Sequence, residues 1–308
     1  MSLMAVTLRM DRFELRAIAA LGIGALVVSG VLAVRLLSFG IPDACLGADE
    51  LQAVCQPWAT RIAAYHEATT VTGSVVLAAF ALLPIVGGLL VGTSLVGKEI
   101  DERTTTFAWS VGPDRRRWLV LRALPPALFL VLATLGVGLF DDWLIWLASR
   151  RPLAELGFDL LAFRGVAPTG AALAALGIAM FVGAVMGRVL PTLLVAGGFI
   201  VAAYVGIGFA SDRFLENETV IVDVAAAPPG RQLDTYFQTA EGELMTWDGA
   251  FSRFGQDMNT WPASLRQLVR MNVYETAPLV ATRITLLDGA IGLAAITLAF
   301  AVVARRRP

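Results

Sequence analysis

The sequence predicts an all-α integral membrane protein with six transmembrane helices, first because its composition is too apolar for a soluble domain. Hydrophobic residues make up 57% and charged residues 16% of the 308 positions, whereas soluble domains are roughly 45–50% apolar. Crossing a bilayer takes about 20 consecutive apolar residues in helical form, because a helix satisfies its own backbone hydrogen bonds. Six such runs occur, and they lack the alternation of apolar and polar residues that β-barrel strands require. The composition therefore excludes a soluble enzyme.

The six runs divide the chain into alternating spans and loops. We place the spans at residues 17–37, 68–97, 119–140, 165–187, 189–211 and 284–304. The fourth and fifth spans are separated only by a short stretch in which Arg188 and Pro191 interrupt a run too long for a single span. A tight turn is expected at this point.

Residues 1–16 are expected to form a helix that lies in the membrane interface, because a helix would separate their apolar and basic side chains. The apolar stripe is Val6, Met10, Phe13 and Ala17, and the basic stripe is Arg9, Arg12 and Arg16. The alternative is that these residues continue the first span into water and orient it by charge.

The distribution of basic residues predicts the orientation of the spans. Arginine and lysine are concentrated in short segments beside the spans, on the same side as both termini, and such segments stay in the cytoplasm. Both termini and residues 98–118 are therefore placed in the cytoplasm. Residues 36–67, 141–164 and 212–283 are placed outside.

Both cysteines of the chain, Cys45 and Cys55, fall in the first outer segment. A disulfide persists in that oxidising location, but the sequence does not fix the geometry that a bridge needs. A bridge and two separate thiols therefore both remain open. A metal site is not expected, because the two thiols have only His66 near them in the sequence.

Residues 212–283 are too long for a simple connection and hold enough aromatic residues for a small ordered outer cap. Within them, Leu265, Leu268 and Val269 follow helical spacing, and Pro262 suits a first helical turn. A short helix is therefore expected over residues 261–269.

Residues 98–118, between the second and third spans, form the most structured polar stretch of the chain. At 112–114, glycine and proline end one element and aspartate is placed to cap the next helix. Phe107, Ala108 and Trp109 are apolar, so they must bury against lipid, their own protein or a partner. A short segment held between two span ends is expected.

The second span ends in glycines that imitate a nucleotide-binding motif. Residues 92–99 match a phosphate-binding loop up to Glu99, which replaces the Ser or Thr that would hold magnesium. The motif also needs a preceding strand, so nucleotide binding is not expected here. Prolines and glycines allow either bending or close helix packing in these spans: Pro84, Gly87, Gly88 and Gly92 in the second, and Pro125 and Pro126 in the third.

Several stretches resemble ABC-2 type transporter permeases of the actinobacterial kind, in order and spacing. Around the loop they are Gly97-Lys98-Glu99-Ile100-Asp101-Glu102-Arg103-Thr104, Phe107-Ala108-Trp109-Ser110 and Arg115-Arg116-Arg117-Trp118-Leu119. Further matches are Phe158-Asp159-Leu160, Arg164-Gly165-Val166-Ala167-Pro168, Gly187-Arg188 with Leu190-Pro191, and Arg305-Arg306-Arg307. They cover most of the chain except residues 212–270.

The resemblance implies the permease subunit of an ATP-driven exporter in the bacterial plasma membrane, with residues 98–118 acting as a coupling helix. It implies pairing with a second permease copy and with two separate ATP-binding subunits, which would hold ATP and magnesium. No catalysis, cofactor, metal or nucleic acid is expected for this chain. Polar contacts to the ATPase would come from Glu99, Asp101, Glu102 and Arg103, and its groove would be filled by Phe107, Ala108 and Trp109.

Two other functions compete with this interpretation. One is an enzyme at the lipid interface, in which Asp141 and Asp142, with Arg150 and Arg151, bind a metal or share a proton. The simpler interpretation of this acidic pair is a solvated boundary of the third span. The other function is a membrane sensor or scaffold that does not transport.

Overall fold

The computed structural model describes residues 12–45, 53–69, 73–101, 115–149, 164–228 and 230–305. Within these ranges, six helices are long and apolar enough to cross a membrane, which confirms the predicted fold class. They are α1 (Arg12–Ser38), α3 (Gly73–Thr93), α4 (Arg115–Ser149), α5 (Ala167–Met186), α6 (Val189–Asn217) and α8 (Ala277–Arg305), while α2 (Ala59–Glu67) and α7 (Trp247–Phe254) are shorter.

The long helices extend beyond the apolar runs that mark the predicted spans. The helix α4 continues to Ser149 rather than stopping near residue 140, and α8 begins at Ala277 rather than near residue 284. Residues at a membrane boundary still gain from helical hydrogen bonds, so hydropathy underestimates helix length. Most of the predicted interfacial helix, residues 1–11, lies outside the described residues, and residues 12–16 continue into α1 without a break.

The described residues form two compact units. The first contains the six-helix bundle up to residue 208 together with residues 282–308. One end of this bundle carries the cysteines, and we call it the disulfide end. The other end carries residues 97–101, the start of α4 and the α5–α6 turn, and we call it the loop end.

At the disulfide end, short helical pieces connect α1 to α3. Two 3-10 turns, Asp43–Cys45 and Ala53–Trp58, precede α2. Cys45 and Cys55 form a disulfide with a Cα–Cα separation of 5.6 Å, and each cysteine is 2% exposed. The Tyr65 hydroxyl of α2 donates a hydrogen bond to the Leu147 carbonyl oxygen of α4 at 3.2 Å. This end of the bundle is therefore tied by covalent and polar links as well as by packing.

The helices α3 and α5 form the centre of the bundle, because small residues let their backbones approach closely. A Cβ atom on Gly88 would lie 2.8 Å from the Ala172 carbonyl oxygen, and one on Gly92 would lie 2.6 Å from that of Leu176. Without a hydrophobic driving force between helices in lipid, such close van der Waals packing is a main source of association. These two glycines of the second span therefore allow close helix packing.

The helix α6 has the opposite character. Only 11% of its span is buried in the chain, compared with 61% for α5. Leu194, Phe199 and Phe209 are 71%, 58% and 70% exposed. In a membrane such a face contacts lipid or another protein chain.

The second unit includes residues 209–281 and is built on a four-stranded antiparallel sheet in the order β1-β4-β2-β3. The strands are β1 (Thr219–Asp223), β2 (Gly230–Gln238), β3 (Leu244–Thr246) and β4 (Arg266–Val273). Aromatic rings pack between sheet and α7, where the Phe237 ring lies 5.2 Å from Trp247 and 5.0 Å from Trp261.

The helix predicted over residues 261–269 is wrong, because β4 starts at Arg266. Along β4, Val269 and Met271 are both 1% exposed, which is the period-two burial of a strand. The prediction relied on apolar residues at 265, 268 and 269 and missed the alternation that continues to residue 271. The predicted cap is thus ordered, but as a sheet with one short helix.

We predict that Gly88→Ala and Gly92→Ala destabilise the bundle, because each new methyl group would meet backbone atoms of α5. Overpacking of this kind costs about 1–3 kcal/mol. Gly136→Ala and Gly198→Ala are matched controls, since a Cβ there meets nothing within 4 Å. Thermal unfolding of the purified protein in nanodiscs measures the difference. Equal stability of all four variants would contradict the close packing.

Candidate coupling site at the loop end of the bundle

The helix α3 leaves the bundle through a π-helical turn. This turn spans Ser94–Lys98 and passes directly into a last helical turn, Glu99–Asp101. Leu95, Val96 and Gly97 are buried. A π-turn inserts one extra residue per turn and is common at functional sites. It redirects the side chains that follow it.

Glu99 and Arg122 form an ion pair inside the loop end. The Glu99 Oε1 atom lies 2.6 Å from an Arg122 guanidinium nitrogen, and the side chains are 5% and 9% exposed. Burying a charge is costly unless it is paired, so each residue depends on the other. The pair joins the end of α3 to the first turns of α4, across the loop that connects them.

Asp101 makes the second link from this helix end. Its Oδ2 atom accepts a hydrogen bond at 3.2 Å from the backbone N–H of Val189, the first residue of α6. The first N–H groups of a helix lack partners within the helix, and a carboxylate is favoured near its positive end. Asp101 therefore acts as a cap supplied by another part of the chain.

The α5–α6 turn presents that N–H group to Asp101. Gly187 ends α5 in a left-handed conformation with φ of 65°, and its N–H donates to the Gly183 carbonyl oxygen at 2.9 Å. Gly183 in turn packs against Gly97 of the π-turn, so closely that a Cβ atom added to Gly183 would lie 3.2 Å from the Gly97 nitrogen. The tight turn expected between the fourth and fifth spans is present and lies beside the end of α3.

The predicted site residues divide between described and undescribed parts of the chain. Glu99 and Asp101 are described, and both turn their carboxylates towards their own chain. The other predicted contacts lie outside the described residues: Glu102, Arg103, Phe107, Ala108 and Trp109. Sequence reasoning missed Arg122, although a lone arginine inside an apolar run requires an acidic partner.

The sequence suggested that Asp141 and Asp142, the acidic pair of the alternative enzyme, form a solvated boundary of the third span. The structure does not agree with that interpretation. Asp141 is 1% exposed, and Asp142 Oδ1 accepts a hydrogen bond from Arg164 Nε at 2.9 Å. The helix α4 continues to Ser149, so Asp141 lies inside it, on the same helix face as the buried residues Val137 and Leu144. Arg150 and Arg151 lie outside the described residues. The described residues of the chain contain no group of three or more His, Cys, Asp or Glu side chains that could hold a metal ion.

We predict that Glu99→Ala destabilises the protein by about 3–5 kcal/mol, because it removes the carboxylate beside the buried Arg122 guanidinium. The double variant E99M/R122M should lose much less, since it replaces both charges by apolar side chains. Glu243→Ala is the control, because its pair with Arg253 is at least half exposed and exposed pairs contribute about 0–1 kcal/mol. Thermal unfolding in nanodiscs distinguishes these outcomes, and equal losses for E99A and E99M/R122M would contradict the pairing.

The family comparison covers the region that contains this site. A family model described as "ABC-2 membrane transporter related" matches residues 15–210, which include the Glu99–Arg122 pair and the Asp101–Val189 contact. No curated protein and no solved structure gives a significant match. The matched part holds the first five membrane helices, and the sheet and α8 lie beyond it. Because the match extends over more than half of the chain, this multi-pass membrane protein belongs to the ABC-2 membrane transporter related family, as an ABC-2 type permease.

Proposed function

We propose that this chain is the permease subunit of an ATP-driven exporter and that residues 98–118 couple it to an ATP-binding subunit. Membership of the family implies association with an ABC ATP-binding subunit. The observation that carries the proposal further is the anchoring of the loop. Its base, at the end of α3, is fixed to α4 and α6 by the Glu99–Arg122 and Asp101–Val189 contacts. A segment that receives force must be held in this way.

In this proposal, Phe107, Ala108 and Trp109 enter a groove on the ATP-binding subunit, and Glu102 and Arg103 make polar contacts around it. An amphipathic segment in an apolar groove is a recurrent mode of recognition. Glu99 and Asp101 hold the base of the loop, because their carboxylates already have partners within the chain. ATP and magnesium belong to the partner, and this chain contributes no ATPase chemistry.

The loop end would transmit movement to several helices together. A displacement of residues 98–118 acts on α3 and α4 through the Glu99–Arg122 pair, and on the start of α6 through Asp101. Because the ion pair is short and largely shielded from water, it resists separation better than an exposed contact would. Closure of the ATP-binding subunits would then shift these helices as packed units, as in other switching transitions.

The functional assembly in this proposal contains two permease copies and two ATP-binding subunits. The exposed face of α6, with Leu194 and Phe199, supports a second copy as a neighbour in the membrane. Two identical chains would pair symmetrically, so the transport path would be enclosed by equivalent helices from both. The loop end faces the cytoplasm, and the disulfide end faces outwards, where a disulfide persists.

We predict that Phe107→Glu with Trp109→Glu uncouples ATP hydrolysis from transport, because carboxylates cannot enter an apolar groove without losing their hydration. The loss of a hot-spot anchor costs about 2 kcal/mol of binding or more, so the complex should weaken roughly thirtyfold or more. Copurification with the ATP-binding subunit, and its ATPase rate in the complex, measure the effect.

Two controls separate this effect from misfolding. F107L/W109F keeps an apolar segment and should preserve binding. V54E/I221E adds the same charge at residues outside the loop that are 78% and 50% exposed, and it should also preserve binding. Normal copurification by F107E/W109E would remove the coupling role from this loop.

We also predict the orientation from single-cysteine labelling in a C45S/C55S background. Gln256→Cys, at an exposed position beyond α7, should react with a membrane-impermeant maleimide on intact cells. Ser110→Cys should react only after permeabilisation, because the coupling loop must face the cytoplasmic ATPase. Labelling of Ser110→Cys on intact cells would show that the loop faces outwards, and it would exclude the coupling role.

A further inference from the structure

Asp141 of α4 is a buried carboxyl group that the proposed coupling mechanism does not use. It is 1% exposed, and neither of its carboxyl oxygens has a hydrogen-bond partner among the residues that the structure describes. A buried carboxylate without hydrogen bonds is among the most costly groups in a folded protein. The group therefore requires an explanation.

The surroundings of Asp141 are apolar. Val137 and Leu144 lie four residues before and three residues after it, so all three share one face of α4. Both neighbours belong to the apolar cluster of the disulfide end, which also contains Leu36, Phe80 and residues of α2. Asp141 is therefore buried on the face of α4 that carries part of this apolar cluster.

Two charged groups, Asp142 and Arg164, act on Asp141 in opposite directions. Asp142, its neighbour in sequence, adds a like charge, and the Arg164 guanidinium is bound to Asp142 Oδ1 at 2.9 Å. From α2, Ile62 and Tyr65 face the cluster, whereas His66 and Glu67 are exposed. Arg35 of α1 is exposed as well. Arg164 also attracts the Asp141 carboxylate, but its guanidinium is bound to Asp142, so Asp141 forms no ion pair of its own among the described residues.

A metal ion does not fit this position. Calcium takes six to eight oxygen ligands and magnesium six, and the described residues supply no group of three acidic or histidine side chains. A proton requires only the carboxyl group itself, and it removes the charge that the apolar surroundings disfavour. Acidic side chains buried within membrane helices form the proton relays of pumps and transporters.

We propose that Asp141 is a proton-binding site, and that the closed disulfide end of the bundle holds it as a neutral carboxylic acid. Contact of Asp141 with water would let the acid ionise and release its proton to the solvent.

Reaction with dicyclohexylcarbodiimide tests the proposal, because this apolar reagent modifies carboxylic acids that are protonated in apolar surroundings. The full-length protein in nanodiscs is treated at neutral pH, and altered peptides are identified by mass spectrometry. We expect the adduct on Asp141 and not on the ion-paired Asp142. Asp141→Asn should abolish it, whereas the control Asp248→Asn, at an exposed position beside β3, should leave it unchanged.

Infrared spectroscopy provides a second readout that does not need the reagent to reach the site. The carbonyl stretch of a protonated carboxylic acid should be present in the wild-type protein at neutral pH and lost in D141N. If D141N does not fold, the site of the adduct in the wild-type protein decides. Absence of both the adduct and the infrared band would overturn the proposal, because Asp141 would then be ionised.

Discussion

The ion pair between Glu99 and Arg122 is the constraint on which the loop end of this permease depends. Two charges in an apolar bundle can be tolerated only as partners, so the end of α3 and the beginning of α4 are fixed relative to each other. Asp101 extends the same constraint to the start of α6 by capping its first N–H group. Three helices therefore meet at one short stretch of chain, and a segment attached there can influence all of them.

This polar end contrasts with the middle of the bundle, where shape rather than charge holds the helices together. Gly88 and Gly92 let α3 approach the backbone of α5, and Gly177 approaches Gly292 of α8 with similar closeness. In lipid the hydrophobic effect does not drive helix association, so van der Waals contact between small residues must stabilise the bundle. The result is a compact α3–α5 centre, with α6 left largely exposed to its surroundings.

The number of membrane helices and their class follow from the sequence, because lipid imposes long apolar runs that composition reveals directly. Features that depend on long-range contacts do not follow in this way. Glu99 and Arg122 are both visible in the sequence, but only the folded chain shows that they are partners. The strand β4 was missed because Leu265, Leu268 and Val269 satisfy helical spacing, while its pairing with β1 and β2 supplies the competing strand. Asp141 was misplaced because hydropathy ends at the acidic pair and the helix does not.

The π-helical turn at Ser94–Lys98 makes the contacts of Glu99 and Asp101 depend on the number of residues that precede them. Successive helical residues are offset by about 100° around the axis, so gaining or losing one residue in this turn would rotate everything after it. Glu99 would then point away from Arg122, and Asp101 away from α6. A change of length between Gly92 and Asp101 in this chain would therefore be as disruptive as the loss of either charged residue.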